Sequence, residues 1–388
     1  MDVGYDCVLV RYGELSLKGP MVRKKFELRL AQNIGDCLRR ANLDHEISIS
    51  RGRLIIGTSH AVVASELVSR VFGVVSASPA ITVPTELDAV KNAALRLARE
   101  RVTAHTPFRV ETNRADKSFP LTSQQLNAEV GERIRRETGG MVDLENPAVT
   151  IGIDIRHRTF IYDRVLRGPG GLPLGTSGRA ISLFSGGIDS PVATYLIMKR
   201  GCEVVLLHFD NAPFSSAASR ERTVRAARIV AGYGCGSRMK LLIAPLGHCL
   251  SSFIERSPRG LTCILCKRMM TRIAGRLAEV HGCQAIVSGS SLAQVCSQTM
   301  ENLTLTLSAS PIPVLMPLVG LDKEEITGIA KRIGTYDEST SIPVACTATP
   351  RHPRTAPTRE EVEEAESKLE IETMVRRSIQ GIESVDLA

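Results

Sequence analysis

The sequence predicts an α/β protein of several domains, ending in a doubly wound parallel sheet. Three observations carry this. From Ile181 to Ser288, strand-like and helix-like apolar patterns alternate. A glycine turn, Ser185-Gly186-Gly187-Ile188-Asp189-Ser190, sits where one of those strands passes into a helix. Ahead of both, residues 5–83 run strand, helix, strand, strand, helix, strand, the order of a ferredoxin-like domain.

In that first domain Cys7 to Val10 is an apolar strand. After the Gly19-Pro20 punctuation, Val22, Phe26, Leu30, Ile34 and Leu38 recur every four residues on a helix. Strands at Ile47 to Ser50 and Leu54 to Gly57 flank the turn residues Arg51-Gly52, followed by a helix over Ala61 to Phe72 and a strand over Val74 to Val83. Lys18, Arg23, Lys24, Lys25, Arg29, Arg39 and Arg40 form either a solvated helix face or an RNA contact.

From Thr85 the pattern restarts as a second domain, 84–167. It has helices over Leu87 to Val102 and Ser123 to Arg136, and strands at Phe108 to Asn113, near Met141 to Leu144, and at Val149 to Ile155, the last returning as a hairpin through Phe160 to Val165. Residues 168–178, rich in Gly and Pro, have the composition of a linker before a third domain at 179–388.

That domain opens on Ile181, Leu183 and Phe184, an apolar strand, and its first helix begins at Asp189-Ser190-Pro191. Glycines let backbone approach a ligand, and the free N–H groups and dipole at a helix start attract an anion. The physics is that of a phosphate cradle. Neither the Walker spacing with its lysine nor Gly-x-Gly-x-x-Gly is present. In a doubly wound sheet ligands lie at the carboxyl ends of the strands, which places His208-Phe209 and Ser288-Gly289 beside a nucleotide; His208 could equally be a satisfied half-buried histidine.

Of ten cysteines, Cys263 and Cys266 share a Cys-x-x-Cys spacing at a helix start, favourable for thiolates and metal, and Cys346 follows in Ser341-Ile342-Pro343 to Pro350. No second Cys-x-x-Cys completes a zinc site. Three thiolates can instead hold an iron–sulfur cluster with one iron open, or be plain reduced cysteines. Cys7, Cys37, Cys202, Cys235, Cys249, Cys283 and Cys296 read as packing residues.

With 388 residues the chain is long for one core. A net charge of +8 favours an anionic partner, although 49 basic residues face 41 acidic ones. No apolar run of about 18 residues exists and the N-terminus lacks signal-peptide features, so a soluble cytoplasmic protein with no membrane partner is expected. Tryptophan is absent and other aromatics are few, which disfavours base stacking on an aromatic platform and favours shape and phosphate contacts.

Ser-Gly-Gly-x-Asp-Ser resembles the pyrophosphate loop of enzymes that split ATP between its α and β phosphates, an adenine nucleotide α-hydrolase-like domain. Arg114 to Phe119, Gly131 and Asn146-Pro147 are similar to the THUMP domain, an RNA-binding module; Arg109, Arg114, Lys117, Arg156, Arg158 and Arg164 would face phosphates. Arg11 to Lys18 with Gly19 and Phe26, the loop, His208-Phe209, Cys263 to Met270, Ser288 to Asn302 with its Ser-Gln-Thr-Met-Glu-Asn run, and Ile342-Pro343 before Cys346 together resemble the 4-thiouridine tRNA sulfurtransferases, the ThiI family, over almost the whole chain.

The resemblance implies ATP-dependent thiolation of uridine 8 in tRNA, with Mg2+, an iron–sulfur cluster and a sulfur donor, either sulfide or a persulfide-carrying protein. It places ATP at Leu183, Phe184, Ser185, Gly186, Gly187, Asp189, Ser190, His208, Phe209, Arg268, Gly289 and Gln298. It implies catalysis by Asp189, Cys263, Cys266 and Cys346, the three cysteines also being the metal ligands, with Arg268 and Lys267 offsetting phosphate charge. Many bacterial members carry a C-terminal rhodanese domain, and this chain ends without one, which puts a persulfide relay and a part in thiamine thiazole synthesis in doubt. The tail from Thr358, with a capping box to Glu361, reads as one charged helix. Rival readings are another pyrophosphate-loop thiolase or amidating ligase, and an RNA-binding protein with a vestigial ATP site; a homodimer stays open.

Overall fold

The computed structural model describes residues 4–50, 52–234, 239–341 and 346–387, apart from the Cys296 side chain. Residues 1–3, Arg51, Cys235, Ile342 and Pro343, singled out above, lie outside the described residues. The chain divides into two compact units, 1–172 and 173–388.

The first unit begins with β1 (Cys7–Tyr12), α1 (Pro20–Arg40), β2 (Glu46–Ser50), β3 (Arg53–Gly57), α2 (Ala61–Val68) and β4 (Val74–Pro84), the ferredoxin-like order. It continues with α3 (Leu87–Arg99), β5 (Pro107–Arg114), α4 (Ser123–Thr138), β6 (Met141–Val142), β7 (Val149–Ile155), β8 (Arg158–Tyr162) and β9 (Leu166–Arg167). All nine strands form one sheet, in the order β2-β3-β1-β4-β8-β7-β5-β6, with β9 on β4. Strand β4 is shared: Val74 to Ala80 pair with β1, and Ile81 to Pro84 with β8. The boundary placed after residue 83 therefore falls at the end of a strand that joins the two halves. On α1 the four-residue stripe buries Leu30, Ile34 and Leu38, while Val22 stays exposed at its start.

The second unit holds β10 (Arg179–Leu183), α5 (Asp189–Lys199), β11 (Glu203–Asp210), α6 (Ala217–Gly232), β12 (Lys240–Pro245), α7 (Gly247–Arg256), α8 (Thr262–His281) and β13 (Ala285–Val287). After these come α9 (Met300–Leu307), β14 (Val314–Leu315), α10 (Lys323–Ile333), α11 (Tyr336–Thr340), α12 (Arg359–Ser367), α13 (Ile371–Gln380) and β15 (Glu383–Asp386). The sheet order is β14-β13-β10-β11-β12-β15, parallel except for β15, which runs antiparallel on β12. From β10 the chain winds outward through β11 and β12, then returns to lay β13 and β14 on the other side. The strand order thus reverses at β10, and a crevice opens at the carboxyl ends there. Ile181, Leu207, Leu242 and Ile286 of neighbouring strands pack with Met269, Ile273 and Leu277 of α8.

The tail corrects one expectation. In place of one charged helix from Thr358 there are two helices and a strand. The capping box of Thr358 and Glu361 starts α12 as read. The chain then restarts as α13, whose Met374 and Val375 are buried in the core shared with α8. β15 satisfies the open edge of β12. Counting charges along the tail hid this second apolar stripe. Among the described residues no helix is long and apolar enough to cross a membrane.

Candidate active site

The strand-to-helix turn is held by its own serines. Ser190 Oγ accepts from the Ser185 backbone N–H at 2.8 Å and donates to the Ser185 carbonyl at 2.9 Å, and the two hydroxyls lie 3.1 Å apart. One turn on, Thr194 Oγ1 donates to the Ser190 carbonyl at 2.7 Å and meets Ser182 Oγ at 2.7 Å, tying the helix to its strand. Two glycines are sterically required. A Cβ on Gly186 would lie 2.7 Å from Arg222 Nε, and one on Gly289 would lie 2.9 Å from the Ser190 backbone N and Cα.

His208, at the end of β11, is 8% exposed, and its Nδ1 lies 3.1 Å from the Phe184 carbonyl. Burial lowers its pKa below the ordinary 6.5, so the ring is neutral near pH 7. A neutral ring donating from Nδ1 leaves Nε2 as an acceptor.

Asp189 opens α5, and Lys323 Nζ reaches its Oδ1 at 2.7 Å. Lys323 is the first residue of α10, whose start is fixed by a capping box of Asp322 and Glu325. A cation at a helix N-terminus has the wrong sign for the dipole, so its place is explained by the carboxylate it meets and by the anion-binding loop beside it.

The loop, Asp189 and His208 line one cleft of about 450 Å³. It brings together Leu183, Phe184, Ser185, Gly186, Gly187, Asp189, Ser190, His208, Phe209, Gly289, Gln298 and Cys346 from the sequence-derived set. It also exposes residues that the sequence did not single out: Asn211, Ser215, Ser219 and Arg222, which follow His208-Phe209 in the chain, and, outside the lining, Lys323. The signal for Asn211 and Ser215 was their position in the loop directly after a strand end in the crevice; Ser219 and Arg222 lie in the first turns of α6. Lys323 carried none, since its partner is 134 positions away.

Arg268 is not among the lining residues. It is 7% exposed and binds Glu366 bidentately at 2.8 and 2.9 Å, along with the Leu305 carbonyl and, at 3.0 Å, Ser308 Oγ. Arg272 joins the same carboxylate at 2.6 and 2.8 Å. Arg156 is likewise bound, to Asp154 at 2.9 Å, and Arg114 donates to the Phe119 and Leu121 carbonyls at 3.0 and 3.1 Å. Lys24, Lys25, Lys117, Arg158 and Arg164 are exposed.

Cys263 and Cys266 lie in the first turns of α8, Cys266 buried and Cys263 half-buried, like Cys346. Burial, then the neighbouring thiols Cys346, Cys263 and Cys249, push the Cys266 thiol well above its ordinary range. The donors suit soft metal chemistry and sense one another. They are not drawn into a ligating arrangement, however: among the described residues no group of three or more His, Cys, Asp or Glu side chains is placed to hold a metal ion.

Residues 175–371 match the family model described as Thiamine biosynthesis protein (ThiI), residues 7–78 the ThiI ferredoxin-like domain and residues 84–162 the THUMP domain. The chain is 43% identical to the probable tRNA sulfurtransferase of Methanothermobacter thermautotrophicus, over 97% of this chain and 96% of that one. It is 39% identical to the corresponding protein of Moorella thermoacetica, over 98% and 97%. A crystal structure of a 4-thiouridine synthetase in complex with RNA and bound ATP superposes with a TM-score of 0.87 at 29% identity, covering 99% of this chain and 100% of that one.

Proposed function

The chain belongs to the ThiI family of tRNA sulfurtransferases, and from that we propose that it converts uridine 8 of tRNA to 4-thiouridine with ATP. The observation that carries this reading is that the Ser185 to Ser190 loop and Cys346 line one cleft.

O4 of the uracil attacks the α-phosphorus of ATP, the bond to the bridging oxygen breaks, and pyrophosphate leaves; the N3 proton goes to water as C4=N3 forms. Sulfide, as HS−, then adds at C4, the C4–O4 bond breaks to release AMP, and the sulfide proton ends on N3 as C4=S forms. Activation is needed because a carbonyl oxygen is a poor leaving group. Gly186 and Gly187 let backbone N–H groups and the α5 dipole reach the departing pyrophosphate. The Asp189 carboxylate would hold Mg2+, which when bound would offset phosphate charge, and Lys323 places a positive charge beside it. Exposed basic groups of the first unit, Lys24, Lys25, Lys117, Arg158 and Arg164, suit tRNA phosphates.

Cys346 is the sulfur site in the cleft. Cys263, Cys266 and Cys346 are the residues that would hold an iron–sulfur cluster, which when bound would supply an iron site to carry sulfide; among the described residues they are not drawn into a ligating arrangement.

The test is anaerobic purification with iron and sulfide analysis, on wild type and on Cys263→Ala, Cys266→Ala and Cys346→Ala, each assayed for AMP release with and without tRNA and for 4-thiouridine by mass spectrometry. tRNA-dependent AMP release with 4-thiouridine supports the function, and iron lost with thiolation in all three variants supports the cluster. Iron-free wild type that thiolates tRNA with only Cys346 essential replaces the cluster by a persulfide on Cys346. AMP release independent of tRNA would overturn the whole reading.

A further inference from the structure

Beyond the residues assigned above, the cleft contains a carboxamide placed to read the target base. Asn211 follows the end of β11 and lines the cleft with the loop and Cys346. Its Nδ2 lies 3.9 Å from Cys346 Sγ. Its Oδ1 is buried and, among the described residues, accepts no hydrogen bond. A buried acceptor without a donor is unfavourable unless a ligand supplies one.

Resting on the thiolation reading above, we infer that Asn211 is a specificity residue whose Oδ1 accepts from N3–H of the uracil while its Nδ2 faces the sulfur. The base has to lie between the loop that holds ATP and the sulfur that attacks C4, and Asn211 is beside that sulfur. N1 of a uracil in RNA is bonded to ribose, so N3–H is the ring's one N–H donor, and it adjoins C4. Sulfur takes the amide NH2 as its partner, which turns the oxygen away from Cys346 and fixes which end of the amide meets the base. A second buried acceptor without a partner, Gln298 Oε1, lines the same cleft, but it belongs to the set already placed against ATP. Until adenylation takes the N3 proton, Asn211 thereby orients O4 toward the α-phosphate in one contact. Cytosine, whose N3 is an acceptor, would meet Oδ1 with a lone pair.

The experiment compares wild type, Asn211→Leu and Asn211→Asp in the full chain, reading single-turnover pyrophosphate release with tRNA and, separately, 4-thiouridine formation. Leu removes both polar atoms; Asp keeps an acceptor and loses the donor to sulfur. The expected result is tRNA-dependent pyrophosphate release down about 100-fold in Asn211→Leu with the KM for ATP within about 3-fold, because a site built to hydrogen-bond its substrate loses most when that bond is lost. Asn211→Asp should release pyrophosphate within about 10-fold of wild type while forming little 4-thiouridine. Asn211→Ser replaces the leucine variant if that one fails to bind ATP. The inference is overturned by Asn211→Leu releasing pyrophosphate at the wild-type rate, whatever its thiolation, or by Asp performing no better than Leu. Wild type that releases no pyrophosphate with tRNA overturns the thiolation reading itself, and this inference with it; an active wild type with indifferent variants overturns the role of Asn211 alone.

Discussion

Lys323 Nζ sits 2.7 Å from Asp189 Oδ1, joining the first residue of α10 to the first residue of α5, which opens on the cleft. Lys323 is half exposed, and an ion pair in such a place adds little to stability. In the proposed reaction it holds charge where pyrophosphate departs. Lys323→Ala and Asp189→Asn should each lower kcat/KM for pyrophosphate release by about 100-fold, with melting temperatures within about 2 °C of wild type. Pyrophosphate release at the wild-type rate in either variant would remove that residue from the chemistry.

Three glycines of the site should rank by what a methyl group would strike. On Gly289 it meets the Ser190 backbone at 2.9 Å, which cannot swing aside; on Gly186 it meets the Arg222 side chain at 2.7 Å, which can give way in part; on Gly187 it meets only Ser185 Oγ at 3.5 Å. Gly289→Ala should therefore cost about 1–3 kcal/mol by overpacking, Gly186→Ala less, and Gly187→Ala under about 1 kcal/mol. Denaturant unfolding of the three variants checks the order. A Gly187→Ala change as harmful as Gly289→Ala would contradict it.

Much of this was legible in the sequence, for reasons that can be named. Ser185 to Ser190 is local: the strand, the turn and the helix start are contiguous, so the chemistry and its geometry are written side by side. His208-Phe209 and Gly289 followed from the rule that ligands lie at carboxyl ends of strands. Arg268 shows where this stops. Its position in α8 beside the Cys-x-x-Cys pair suggested phosphate, yet the carboxylate that binds it is Glu366, 98 residues on. The run Val74 to Val83 reads as a strand, but that β4 serves both halves of the first unit does not, for the same reason: pairing partners 62 to 80 positions apart leave no local pattern. α13 was missed because Ile371, Met374 and Val375 are spaced among charges that set the composition of the tail.

His208 makes a prediction about acid stability. Burial lowers its folded pKa below 6.5, and His248 is lowered in the same way. The unfolded chain therefore binds protons at a higher pH than the native one. The stability these rings contribute is fully present above about pH 6.5 and is lost as pH falls below it, at up to about 1.4 kcal/mol per pH unit for each. In His208→Gln the fall in unfolding free energy between pH 6.5 and 5 should be shallower than in wild type. Parallel curves for the two proteins would show that His208 titrates alike in both states.

Glu366 gives the opposite sign. Burial pushes its carboxyl up, but Arg272 and Arg268 outweigh that and hold it at about 2, against an ordinary 4.5. The carboxylate is thus favoured by the native state, and its contribution is present above about pH 4.5 and lost as pH falls from there toward 2. Glu366→Gln leaves Arg268 with a carbonyl and a hydroxyl as partners, and removing one member of a buried pair costs about 3–5 kcal/mol. Because Arg272 is partly exposed and regains water, the lower end of that range is the expected loss at pH 7. At pH 3 wild type and variant should differ by clearly less, since wild type has by then lost part of the same interaction. Urea unfolding of both proteins at the two pH values measures it. A gap that stays constant from pH 7 to 3 would mean that Glu366 acts through packing and not through its charge, and would return Arg268 to the list of groups free to turn toward phosphate.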